Sequence, residues 1–220
     1  MGVVIGSALI AGAFAGPAAA KSPAFGNEDA VAGSVYAILA ADNGFDGRGG
    51  DYDILEAAAE TVVNAKPSSL VAALNDPAQQ LTVFAPNDGA FRRLVFSLTG
   101  HWYWREARVL SELVAAVSGL VGPAATIDTV ETVLLYHVFG GGKVLSSAVP
   151  GLNGVSIDML AGGQVTFKVR PWAIRLIDQD PDALNPRLVP GGLDIQTSNG
   201  KSVVHTISGV LRPLDLPQAH

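Results

Sequence analysis

The sequence predicts an α+β domain in which helices come first and strands follow. Up to His137 the apolar residues recur with the period of a helix, whereas after His137 they alternate with the two-residue period of strands. Two turn signals, Gly162-Gly163 and Asn199-Gly200, stand between alternating segments of that second half. Helices packed on antiparallel sheets are therefore expected.

Composition excludes several classes of protein. The 220 residues are 49% hydrophobic and 15% charged, which excludes a disordered or fibrous chain, and the length suits one domain with a short appendage. Because there is no cysteine, disulfide scaffolds and thiolate metal sites are excluded. The net charge is −6, and no basic stripe is visible, so we expect no nucleic-acid partner.

The N-terminus has the pattern of an export signal. Residues 3–14 are apolar and uncharged, Gly16-Pro17 interrupts them, and Ala18-Ala19-Ala20 forms a cleavage site of the A-x-A type. The apolar segment is shorter than the roughly 20 residues of a membrane span, although a membrane anchor remains the alternative. We expect cleavage near Ala20, a mature chain without a membrane span, and a location outside the cytoplasm.

The helical half divides into elements that start at recognisable caps. The predicted elements are a short helix opened by Asn27-Glu28-Asp29, a Gly/Asp loop over 42–53, a helix capped by Asp53 with Glu56, a short helix capped by Ser69, a buried strand over 81–85, and helices from Pro86, over 105–117 and over 128–136. The domain boundaries predicted from these signals are 1–20 signal peptide, 21–50 extension with a short helix, 51–215 main domain and 216–220 tail.

The strand half follows the alternation of apolar residues. The predicted strands contain Val155, Ile157 and Met159; Val165, Phe167 and Val169; Ile174 and Leu176; Ile195 and Thr197; and residues 203–207.

Three segments, in order and at matching spacing, resemble the fasciclin domain. They are residues 82–91 (TVFAPNDGAF), 134–138 (LLYHV) and 199–213 (NGKSVVHTISGVLRP). The residues that match the three motifs are Thr82, Phe84, Pro86 and Phe91; Tyr136 and His137; and Asn199, Gly200, His205, Leu211 and Pro213. The resemblance implies a wedge-like sandwich of helices on sheets. It also implies a secreted or surface-attached protein without enzymatic activity that acts in adhesion or matrix contacts, as in secreted single-domain bacterial members.

The Tyr136-His137 dipeptide has two interpretations. In the fasciclin family this pair is tied to cell adhesion, which would make it a binding site. His137 also lies on the helix face of Val133 and Leu134, which favours a buried, hydrogen-bonded imidazole at a helix-to-strand junction. His205 alternates with Val204 in its strand, and a structural role is favoured there too.

Three consecutive aromatic residues, Trp102, Tyr103 and Trp104, form the most unusual segment. Successive residues of a helix or strand point in different directions, so the three rings cannot all face inward. An exposed ring would suit a binding surface for sugars or proteins. The alternative is that the rings cover the end of the following helix.

Chemistry-bearing motifs are absent. The sequence contains neither a G-x-S-x-G elbow nor an H-E-x-x-H pair, and Val144 follows Gly140-Gly141-Gly142-Lys143 where a phosphate loop needs Ser or Thr. The acidic run Asp178–Asp182 lacks the glycine and distal Glu of a calcium loop, and residues 42–53 lack its spacing. We therefore predict no catalysis, no cofactor and no metal site.

The sequence thus predicts a secreted, non-enzymatic binding module whose partner is a cell-surface, matrix or envelope component, either protein or polysaccharide. A carrier of carbohydrate or a small ligand that uses Trp102–Trp104 is the alternative.

Overall fold

A computed structural model describes residues 30–41 and 44–217. The α-helices of these two stretches are α1 (Tyr36–Leu39), α2 (Asp53–Ala65), α3 (Asp88–Thr99), α4 (Glu106–Val121) and α5 (Thr126–Leu135). The strands are β1 (Thr82–Pro86), β2 (Val138–Phe139), β3 (Ser156–Asp158), β4 (Gln164–Arg170), β5 (Ala173–Ile177), β6 (Ile195–Gln196) and β7 (Val203–Ile207). Short 3₁₀ helices cover Leu70–Asn75, Pro123–Ala125, Val149–Leu152 and Pro190–Gly192.

The strands form two sheets. The first has the order β2-β1-β7-β6, and the second, β3-β4-β5, is antiparallel throughout. In the first sheet β1 and β7 run parallel, with Thr82 opposite Val203, while the outer pairs are antiparallel. The α+β class with largely antiparallel sheets is confirmed, and the central pair of β1 and β7 is the exception, because these two strands are parallel.

The central strands are buried on both faces, which creates three layers. Val83 and Ala85 of β1 pack with the helices, whereas Phe84 packs with Phe167 and Leu176 of the second sheet. This alternation follows from the pleat, which directs successive side chains to opposite faces of a sheet. The first sheet thus lies between the helical layer and the second sheet.

The predicted cap at Ser69 is confirmed, the predicted cap at Asp53 is not, and the helix that starts near Pro86 is capped by Asn87. The Asn87 side chain accepts from the N–H of Ala90 over 3.0 Å, and Ser69 accepts from Val71 over 3.1 Å. Asp53 is instead the first residue of α2, and the Ile54 N–H donates to Asp88 over 3.0 Å. A carboxylate from another helix has replaced the local cap.

The segment before the Gly/Asp loop belongs to the core. Tyr36 and Leu39 are buried, and the Tyr36 hydroxyl donates to Glu56 over 3.2 Å and to Glu60 over 2.9 Å. Glu56 is buried as well. The predicted signal peptide and the helix start at residues 27–29 lie outside the described residues.

The two turn signals lie at the chain reversals they predict. Gly162, Gly163 and Gly200 have φ of 80°, 71° and 69°, a region that glycine enters without strain.

Within the described part of the chain, no single helix has the length and apolarity of a membrane span, although α4 together with residues 123–135 meets those criteria as a pair bent by 118°.

Candidate functional site

The helix-to-strand junction after α5 buries both residues of the Tyr136-His137 pair. His137 is 2% exposed; its Nδ1 donates to the Val133 carbonyl over 2.7 Å, and its Nε2 accepts from the Leu211 N–H over 2.8 Å. This tautomer follows from the partners, since a carbonyl can only accept and a backbone N–H can only donate. Tyr136 is fully buried and donates its hydroxyl hydrogen to the Gln164 carbonyl over 2.6 Å.

Burial also fixes the ionisation of the pair. It lowers the pKa of His137 to about 4 and raises the pKa of Tyr136 to about 12, because a charge inside the molecule is poorly solvated. Both side chains are therefore neutral at pH 7. In this geometry the pair joins β4 and the segment after β7 to the end of α5, and neither ring reaches the surface.

The other motif residues also lie in the interior or in turns. His205 is 1% exposed, with its Nε2 donating to the Val144 carbonyl over 2.8 Å and its ring stacked on Phe84. Thr82 donates to the Gly142 carbonyl over 2.7 Å, and Asn199 donates to the Pro77 carbonyl over 2.7 Å. The remaining members are buried (Phe91, Leu211 and Pro86), partly buried (Pro213) or in the turn at positive φ (Gly200).

The three consecutive aromatics divide between core and surface. Tyr103 packs partly on the helical core and lies 5.5 Å below the Arg108 guanidinium. Trp102 and Trp104 are 41% and 73% exposed, and Phe96 of α3 is 48% exposed. The Phe96 and Trp102 rings lie 6.0 Å apart, and the Trp102 and Trp104 rings 5.8 Å apart, both edge to face. We call Phe96, Trp102 and Trp104 the aromatic row.

A cleft of about 570 Å³ opens at one end of this row. Its walls come from α3, β5 and residues 183–187 and 208–212, and Phe96 is part of them. We call it the arginine cleft, because Arg93, Arg175, Arg187 and Arg212 line it. No Asp or Glu does so among the described residues.

Three of these arginines are exposed residues, and Arg187 repels both Arg93 and Arg175. Arg212 pairs with buried Asp180 over 3.0 Å, whereas Arg93, Arg175 and Arg187 form no salt bridge within residues 30–41 and 44–217. A bridge between β5 and the following loop places Arg175 directly opposite Arg187. Burial and the neighbouring Arg187 lower the pKa of Arg93. Sequence reasoning missed this concentration of charge, because the arginines are far apart in the chain.

An acidic cluster lies where three helices begin. Asp53, Asp88 and Glu106 are the first residues of α2, α3 and α4, and they and Asp51 place carboxylate oxygens within 4.8 Å of one another. At an effective dielectric constant of about 20, two such charges repel by roughly 3 kcal/mol. A helix N-terminus offsets only about 0.3–1 kcal/mol of that.

The hydrogen bonds of this cluster leave one oxygen unused. Glu106 accepts from the Arg92 guanidinium over 2.7 Å and from the Gly47 N–H over 3.0 Å. Asp88 accepts from Ile54 through Oδ1, while its Oδ2 is buried without a hydrogen-bond partner among the described residues. Burial, together with the neighbouring carboxylates, raises the pKa of Asp88 to about 8. The sequence signal for this cluster was the acid at each helix start, of which only Asp53 was interpreted, as a helix cap.

A comparison with family models identifies one family. The family model of the Fasciclin domain matches residues 57–213. Among solved structures, the chain is similar to a FAS1 domain pair from the insect cell adhesion molecule Fasciclin I, at 11% identity and a TM-score of 0.40 over 73% of this chain. The chain spans 43% of that structure's length. No curated protein matches the chain.

Proposed function

Since the chain belongs to the fasciclin family, we propose that it is a secreted, non-enzymatic module that attaches to an acidic polysaccharide of a cell surface, matrix or envelope. Residues 1–20 would direct export, residues 51–215 would form the domain, and residues 30–41 would pack on it. Adhesion or binding is the family's activity at the coarse level, and the surface of this chain supports the choice of ligand.

The observation that supports this proposal is the continuity of the arginine cleft with the aromatic row. Phe96 belongs to both, so three exposed guanidinium groups and two exposed indole rings lie along one face. Guanidinium groups bind carboxylates and sulfates through paired hydrogen bonds, and aromatic rings supply rigid apolar contact area. A polymer of acidic sugars presents both chemistries in repetition.

Charge supports an anionic ligand. Arg175 opposite Arg187 is an unfavourable cross-strand pair in the free protein, and an anion placed between them removes that repulsion. The protein as a whole has a net charge of −6, so the cleft is a local positive field in an otherwise acidic molecule. Contact through Tyr136 or His137 is disfavoured, because both side chains are buried.

The alternative is a carrier of neutral carbohydrate or of a small ligand that uses Trp102 and Trp104. The exposure of these rings, 41% and 73%, favours it, as does a cleft volume in the usual range for ligand sites. In that case the aromatic row would bind the ligand without help from the arginines.

Binding of the mature protein to a glycan array, with pull-down from envelope and matrix fractions, tests the proposal. We expect saturable binding to acidic glycans that weakens as salt rises and that falls about tenfold in Arg175→Gln and Arg187→Gln. Arg170→Gln, an exposed arginine of β4 outside the cleft, is the matched control.

The tryptophan variants separate the two candidates. Binding of neutral sugars that survives Arg187→Gln but is lost in Trp102→Ala and Trp104→Ala would support the carrier. Failure to retain any polysaccharide at low salt would contradict the proposal of an acidic-polysaccharide ligand.

A further inference from the structure

We propose that Asp51, Asp53, Asp88 and Glu106 bind one calcium ion. Their carboxylate oxygens lie within 4.8 Å of one another, and three of the four side chains are buried. Calcium binds oxygens at about 2.3–2.6 Å, so two ligands on opposite sides of one ion lie about 5 Å apart. The four carboxylates therefore already have the spacing of a single coordination sphere.

The unused oxygen of Asp88 is the second observation. Asp88 is 0% exposed, and its Oδ2 has no hydrogen-bond partner among the described residues, although Oδ1 caps α2 through the Ile54 N–H. Buried carboxylate oxygens are normally hydrogen-bonded or bound to a metal, because desolvation of an unpartnered one is costly. A cation in the cluster would give this oxygen its missing partner.

The negative charge of the cluster also favours the binding of a cation. Among the described residues, the four carboxyl groups lie together beside the Arg92 guanidinium, which pairs with Glu106 over 2.7 Å. The oxygens of Glu106 retain lone pairs for a metal, since a carboxylate can accept about four interactions and the described residues use two of them. The helix N-termini favour negative charge here but do not neutralise it.

The donor set selects the kind of ion. Carboxylate oxygens without nitrogen or sulfur suit hard cations such as calcium and magnesium. Calcium accepts six to eight oxygens in flexible geometry, whereas magnesium requires a near-ideal octahedron. Three helix starts and a loop fix the positions of these ligands. Calcium tolerates positions that depart from an octahedron, so calcium is the better match.

Calorimetric titration of the EDTA-treated full chain with calcium chloride tests the proposal directly. We expect one saturable site and a melting temperature that rises with calcium, because a ligand bound by the native state stabilises it by mass action. Asp88→Asn should weaken calcium binding at least about tenfold. The amide keeps an oxygen for the Ile54 N–H, so the variant should still fold, as circular dichroism would show.

Asp182→Asn is the matched control, since it removes an exposed acid from the other acidic run and should leave the titration unchanged. Should Asp88→Asn fail to fold, Asp51→Asn replaces it as the test variant. Absence of saturable binding at millimolar calcium, or equal binding by wild type and Asp88→Asn, would overturn the proposal. Tighter binding of magnesium than of calcium would overturn the choice of ion. None of these outcomes depends on polysaccharide binding, because the cluster and the arginine cleft share no residue.

Discussion

The backbone N–H of Leu211 donates a hydrogen bond to Nε2 of His137 over 2.8 Å, across 74 residues of chain. Both residues are buried, at 0% and 2% exposure. The second and third motifs of the fasciclin resemblance therefore meet in one contact inside the molecule. The imidazole acts there as a neutral acceptor that positions the segment after β7.

Replacement of His137 by alanine should destabilise the fold. His137→Ala leaves the Leu211 N–H without its acceptor, which costs about 1–3 kcal/mol, and the lost ring adds a cavity. Denaturant unfolding of the variant measures this loss, and the ligand affinity of the protein that remains folded should be unchanged. A normally stable variant that no longer binds would contradict the structural role. Tyr136→Phe is the milder comparison, since it removes only the bond to Gln164, worth about 1 kcal/mol.

Acid should remove the stability that His137 contributes to the fold. Burial lowers the pKa of His137 from 6.5 to about 4, so the unfolded chain takes up a proton before the folded protein does. The wild type therefore loses stability as pH falls from about 7 to 4, by roughly 3 kcal/mol at most, whereas His137→Ala lacks this contribution. We expect the difference in unfolding free energy between the two proteins to shrink over that range. A constant difference would mean that the pKa of His137 is the same in the folded and unfolded states.

Replacement of one cleft arginine should raise the stability of the fold while it weakens ligand binding. Arg187→Gln relieves the repulsion of Arg175 and should raise the free energy of unfolding by about 0.2–1 kcal/mol. The same change should weaken binding to acidic polysaccharide, because one guanidinium is lost. Thermal melts and binding assays at two salt concentrations, with Arg170→Gln beside them, measure both effects. An Arg187→Gln protein that is less stable than wild type would show that the guanidinium has a structural partner.

Export can be checked by N-terminal sequencing. The apolar segment over 3–14 and the site at Ala18-Ala19-Ala20 predict a mature chain that begins at Lys21 or within a few residues of it. The protein should be recovered from the culture supernatant of a bacterial host. Recovery of only the chain with an intact Met1 from the cytosol would contradict export.

Sequence reasoning located those features that depend on neighbouring residues. The cap at Ser69 and the turn at Gly200 involve partners within a few residues, so composition and spacing reveal them. The predicted cap at Asp53 was wrong. The acceptor for the Ile54 N–H belongs to Asp88 on another helix, and local spacing does not reveal such a partner.

The candidate sites depended on contacts between distant segments. Arg175 faces Arg187 only because the loop after β5 returns to pair with that strand. Asp51, Asp88 and Glu106 meet only because the starts of α2, α3 and α4 converge. A search for local ligand spacing examines one run at a time, and it therefore rejected metal in each run separately.

The position of β7 in the middle of the first sheet has a consequence for biosynthesis. Leu81 and Ser202, which flank β1 and β7, are 121 residues apart and joined by a hydrogen bond of 3.0 Å. Both hydrophobic clusters include residues of β7, so neither can close before the ribosome has passed residue 207. Strand pairs that are so far apart in the chain also form slowly, because the entropy of loop closure is lost before the stabilising contacts form. A growing chain of this protein therefore cannot complete either hydrophobic cluster until late in its synthesis, and a chain without a closed core is one that can be threaded through a narrow pore.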